Sequence, residues 1–156
     1  ESVIRENRTR FGRENISFST LGGIGDLPPA DLVVCKDVLQ HLPTAAVAQY
    51  LDVFLGRYKF AIVTNDARAT MKSGDGDVEC GPDYLNVDID YGNWRMIRPD
   101  LAPFNLKVAV LLRWTIVAQT MSWTKDACLL IGRQAAAVQP SGKAGWRRLL
   151  DGLKAG

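Results

Sequence analysis

A single histidine, three cysteines and a net charge of only +2 mark this 156-residue sequence by what it has little of. Cys35, Cys80 and Cys128 are scattered, with no paired spacing, which argues against zinc ribbons and small disulfide scaffolds. Cys35 and Cys128 sit in apolar, strand-like runs, where cysteine is usually a small buried hydrophobe. That usage points to a reducing cytoplasm. A charge of +2 is too small to argue for nucleic acid or an anionic membrane as partner. No long hydrophobic run is present either. VAVLLRWTIVA, from Val108 to Ala118, contains an arginine and falls far short of a membrane span. Serine-nucleophile motifs, phosphate loops, zinc spacings, internal repeats and low-complexity stretches are all missing.

What is there reads as one domain over residues 1–133, followed by a basic, partly flexible tail over 134–156. The tail carries Lys143, Arg147, Arg148 and Lys154 against Asp151. With 47% hydrophobic and 23% charged residues, the chain can bury an ordinary globular core. SVIRENRTRFG predicts a surface helix closed by Gly12. NISFST alternates as a strand does, LGGIGDLPPA is a loop, and DLVVC is a short buried strand. From Asp37 the period becomes helical. Pro43 and Thr44 split it into a turn over 37–42 and a helix over 45–57, with Thr44 as N-cap. KFAIVTN is the next strand, and a long insertion without periodicity follows between Asp66 and Asn105. LKVAVLLRWTIVA and DACLLIGR read as an antiparallel edge pair separated by the turn-like QTMSWTK. The predicted class is α/β, a Rossmann-like doubly wound sheet, mostly parallel with that antiparallel edge pair.

Four stretches, RFGRENISFSTLGG, ADLVVCKDVLQHLP, YKFAIVTND, and VDIDYGNWRMIRPDLAPFNL followed by KDACLLIGR, occur in the order of a known family. Over most of residues 1–133 the chain resembles the carboxyl-terminal part of a class I S-adenosylmethionine-dependent methyltransferase. The resemblance implies S-adenosyl-L-methionine as cofactor and methyl transfer to an O or N of an acceptor whose identity it leaves open. It implies that Leu21, Gly22, Cys35 and Lys36 border the cofactor, and that Asp37 and His41 flank the transferring methyl. Four residues apart, Asp37 and His41 would share one face of a helical turn and could deprotonate or orient an acceptor. The bland alternative is that Asp37 caps the turn and His41 only packs beneath it. Tyr91, Trp94 and Arg95 bring aromatics and a cation together on the acceptor side, as a small-molecule site requires.

Two family features do not occur: the glycine-rich first loop, and the acid after the second strand that holds the ribose. The expectation is therefore a domain lacking its first βαβ part, in which NISFST has no neighbour and DLVVC presents an apolar edge. Two other readings stand beside this one. One is a non-catalytic, methyltransferase-like scaffold that binds a partner. The other is a nucleotide-sugar transferase using Asp75 and Asp77, although a solvated acidic loop also accounts for those residues.

Overall fold

A computed structural model describes residues 2–135, so the basic tail expected from 134 onward lies almost wholly outside the described residues. The described part is an α/β protein built on an open, mixed five-stranded sheet. Helix α1 (Ser2–Phe11) buries none of its residues and ends at Gly12, whose amide donates to Arg8 O. Strand β1 (Leu32–Lys36) leads through a 3₁₀ turn at Leu39–His41 into helix α2 (Thr44–Arg57). Strand β2 (Phe60–Met71), the two-residue β3 (Val78–Glu79), β4 (Ala109–Val117) and β5 (Met121–Ile131) follow.

The strand order is β1-β2-β5-β4, with β3 paired to the far end of β2. Only β1 and β2 run parallel; the β2–β3, β2–β5 and β4–β5 pairings are antiparallel. The expectation of a mostly parallel sheet with antiparallel strands at its edge is corrected here. β4 and β5 form a hairpin closed by Ala118 N–H donating to Met121 O, and β5 inserts between β2 and β4.

Pairing also resets the element boundaries. β5 begins at Met121 rather than in DACLLIGR, so most of QTMSWTK is strand. β2 continues past Asn65 to Met71, because β5 supplies partners as far as Met121, across an irregularity between Asp66 and Arg68. NISFST forms no sheet strand; only an isolated bridge joins Arg13 to Ile16. No neighbouring strand is there to satisfy its backbone. Among the described strands β1 lies at the sheet edge, with Leu32 and Val34 exposed, which corrects the expectation of a buried strand at DLVVC: only its Cys35 side faces the core.

Alternation decides which residues face the core. Val33 and Cys35 of β1, Ala61 and Val63 of β2, and Cys128 and Leu130 of β5 pack with Val47, Leu51 and Phe54 of α2. Tyr58, just past α2, is buried and donates its hydroxyl to Pro28 O. The opposite face is thinly covered. Leu32, Val34 and Leu112, which share it by register, are all exposed.

Candidate functional site at the carboxyl end of β1

Strand β1 ends in Cys35-Lys36-Asp37, and the three side chains go to different places. Cys35 faces α2 and is buried. Burial first, then the charge of Asp37, push its thiol up to about 11. Lys36 is exposed on the opposite face. Asp37 donates its amide to Thr64 O, one step past the end of the ladder, and then turns sharply at φ +56°. That left-handed conformation is uncommon without glycine and requires its surroundings to hold it.

Those surroundings are charged. Lys36 Nζ donates to Asp37 Oδ2 at 2.6 Å, and Lys125 Nζ donates to Asp37 Oδ1 at 2.9 Å. Lys125 Nζ also donates to Asp66 Oδ1 at 2.6 Å. Lys125 on β5 stands directly opposite Asp66 on β2 in the sheet register, and both are buried. Burial pushes the Asp37 carboxyl up, but hydrogen bonds from Lys36 and Lys125 outweigh it and hold Asp37 below the ordinary carboxylate value. Burial pushes Lys125 down, and the hydrogen bonds to Asp66 and Asp37 outweigh that too, leaving it raised.

His41 closes the 3₁₀ turn but does not meet Asp37. The i, i+4 argument needs helical backbone from Asp37 onward, and the left-handed Asp37 lies outside a turn that begins only at Leu39. Among the described residues no hydrogen bond joins Asp37 to His41. Instead the His41 ring pairs through Nδ1 with Asn93 O at 3.0 Å, which requires the proton on Nδ1. Nε2 then accepts from the Gln40 amide, whose Oε1 takes the Asp66 N–H at 2.9 Å.

The segment Tyr91–Arg95 runs alongside this turn. Gly92 N–H donates to His41 O and Arg95 N–H to Gln40 O, at 2.9 and 3.1 Å. Trp94 is half-buried, packs near Tyr84, and donates its indole N–H to Asp66 Oδ2 at 2.8 Å. Tyr91 is 72% exposed. Arg95 is fully enclosed, and its three guanidinium nitrogens have no partner among the described residues. Desolvation lowers its pKa, with the nearby Asp88 charge opposing that.

The structure thus brings Lys36, Asp37 and Trp94 together with two residues the sequence reading missed, Asp66 and Lys125. Asp66 directly follows the apolar run KFAIVTN of the strand beside β1, which was a usable signal. Lys125 lay hidden in a stretch read as turn. Leu21 and Gly22 are exposed, ahead of a 3₁₀ turn at Ile24–Asp26. Arg57, at the carboxyl end of α2, holds that turn through Gly25 O and Leu27 O, so its anchor is at the other end of the helix from Asp37. No hydrogen bond joins Leu21 or Gly22 to Cys35 or Lys36 among the described residues.

Thr44 proves to be the first residue of α2, not its cap. Asp88 supplies the cap from the long insertion, accepting the Thr44 N–H at 2.7 Å. Asp75 and Asp77 occupy the exposed turn between β2 and β3. Among the described residues no three His, Cys, Asp or Glu side chains converge as a metal-binding set, and no helix is long and apolar enough to cross a membrane. Compared with protein-family models, curated proteins and solved structures, the chain matches none.

Proposed function

We propose that this chain belongs to a class I S-adenosylmethionine-dependent methyltransferase domain acting on an O or N acceptor, with Rossmann-like strand connections. The observation that carries the reading is the hydrogen-bonded closure of Tyr91–Arg95 onto the turn after β1. The stretches assigned by resemblance to the methyl side and the acceptor side are about fifty residues apart, and they meet where Gly92, Asn93 and Arg95 bond to Gln40 and His41, with Trp94 tied to Asp66 beside them. The parallel β1–α2–β2 unit, with candidate residues outside the carboxyl end of its first strand, supports the same reading.

The cofactor fits these residues in part. Cys35 turns its side chain into the core and has only its main chain to offer; Lys36 offers an exposed ammonium beside Asp37. When bound, S-adenosylmethionine supplies the electrophilic methyl. The chain's own residues orient the acceptor, exclude water beneath Trp94, and take its proton at Asp37, or at His41 Nε2 once the Gln40 amide gives it up. Three free, buried cysteines are in keeping with a reducing cytoplasm.

So few cofactor contacts imply an affinity weaker than about 100 µM, roughly −5.5 kcal/mol. The test is therefore methyl transfer from labelled S-adenosylmethionine at millimolar concentration to a panel of hydroxyl and amine acceptors. Asp37→Asn or His41→Ala is expected to cut turnover per folded molecule roughly 10²-fold, beyond any loss of stability from removing the Asp37 charge that pairs with Lys36 and Lys125. No transfer to any acceptor by the folded wild type would count against the enzyme and favour a non-catalytic scaffold, a reading the bare sheet face around Val34 supports.

A further inference from the structure

We propose that Lys125 and Asp66 are positioning residues for Asp37, and that Trp94 latches the Tyr91–Arg95 segment to them through Asp66. On this view the acid of the candidate site and the loop beside it hold their places as one unit. The inference rests on the reading of Asp37 as the acid of the site. It adds two residues and a coupling which that reading does not contain.

The geometry is a chain of shared atoms. Lys125 Nζ bridges Asp37 Oδ1 at 2.9 Å and Asp66 Oδ1 at 2.6 Å. The other Asp66 oxygen accepts from Trp94 Nε1 at 2.8 Å, and its main-chain N–H is held by Gln40 Oε1 at 2.9 Å. Asp66 therefore touches β5 through Lys125, the loop through Trp94 and the 3₁₀ turn through Gln40. Burial gives these contacts weight, since Asp66 is 2% exposed and Lys125 8%. A carboxylate so enclosed needs its counter-charge, and charge-assisted hydrogen bonds are the stronger kind. Two ammonium groups, Lys36 and Lys125, face two carboxylates, Asp37 and Asp66, so the cluster is neutral as drawn.

The two lysines do different work. Lys36 is Asp37's own neighbour on an exposed surface and moves with it. Lys125 reaches across from β5, 88 residues away in sequence. Thr64 O on β2 holds the Asp37 main-chain N–H, and Lys125 is the side-chain contact from the sheet that fixes the carboxylate beyond that left-handed turn. The other titratable groups around Asp37 are Cys35 on its own strand, Asp66 on β2, and His41 on the next turn with its ring given to Asn93.

The test reads the carboxyl titration of Asp37 by ¹³C NMR, and hydrogen exchange at the amides of Gly92 and Arg95, in the wild type, Lys125→Met, Lys125→Arg and Trp94→Phe. The expected result in Lys125→Met is a rise of about one pH unit in the Asp37 midpoint. Gly92 and Arg95 amides exchange roughly tenfold faster in the same variant. Lys125→Arg restores most of both. Trp94→Phe, which removes the indole N–H with its five-membered ring and keeps a six-membered aromatic ring, is expected to speed the loop exchange and leave the sheet amides protected. An unchanged Asp37 midpoint in a natively folded Lys125→Met protein overturns the positioning role. Unchanged loop exchange in Trp94→Phe overturns the latch, and that variant keeps the ion cluster whole should Lys125→Met fail to fold. Neither readout needs turnover, so a failure of methyl transfer would be seen separately.

Discussion

Asp88 shows how a single side chain can tie a long insertion to the helix that flanks the site. Its carboxylate accepts the Thr44 N–H at the start of α2, where unpaired donors and the helix dipole favour an anion. That hydrogen bond, above all, holds Asp88 below the ordinary carboxylate value. A folded-state pKa below the unfolded one means stabilisation that is complete above the unfolded value and fades as pH falls through the folded one. Asp37 and Asp100 are shifted in the same direction, each with burial opposing its lysine or arginine partners. Melting temperatures should therefore fall between about pH 5 and about pH 2. Asp88→Ala should melt lower at neutral pH and lose less over that interval. Parallel pH curves for the two proteins would show that Asp88 does not act through its charge. Lys125 has the opposite sign: its contribution is present below the unfolded lysine value and fades as pH rises through the raised folded one.

At the scale of elements, α2, β2 and the end of β5 come together at a close backbone approach at Gly132. Gly132 donates its amide to Lys59 O, and Arg133 donates to Leu55 O, so the chain leaving β5 lies directly against the last turn of α2. A methyl at Gly132 would overlap Tyr58 O and press on Leu55 O at 3.2 Å. These are backbone atoms, which cannot swing aside. Gly132→Ala is expected to cost on the order of 3 kcal/mol in denaturant unfolding. Gly74→Ala, where an added methyl meets nothing within 4 Å, is the control and should stay within about 0.5 kcal/mol. Equal stability of the two variants would mean that the close approach relaxes at no cost.

Across the whole molecule the sheet is unevenly covered. One face carries α2 and residues Ile97, Phe104, Leu106 and Val108; the other is covered at one end by Trp94, Met96 and Trp123 and shows Leu32, Val34 and Leu112 to solvent. β1 adds a sheet edge with no strand beyond it among the described residues. Exposed apolar edges of this kind favour self-association. Val34 is 61% exposed, so a lysine there removes apolar surface without touching the core. Sedimentation at matched concentration should find less associated material for Val34→Lys than for the wild type. No change would place the association, if any, elsewhere.

Local pattern carried a good deal. The glycine stop after α1, the extended run of β1 though not its burial, the break at Pro43 and the apolar stripe of α2 each depend on neighbours a few residues away, so they are readable along the chain. The same holds for Asp37 at a strand end and for the turn that follows it. Pairing was another matter. Whether NISFST is a strand, how far β2 runs past Asn65, and whether QTMSWTK turns or extends depend on which backbone lies alongside, and that is settled by contacts distant in sequence. The cap of α2 passed from Thr44 to Asp88 for the same reason. The candidate site divides likewise: Asp37, His41 and Trp94 had local cues, whereas Lys125 acquires its meaning only opposite Asp66, through a register 59 residues apart. Side-chain period is a property of the chain by itself; strand register and the meeting of buried charges are properties of the folded sheet.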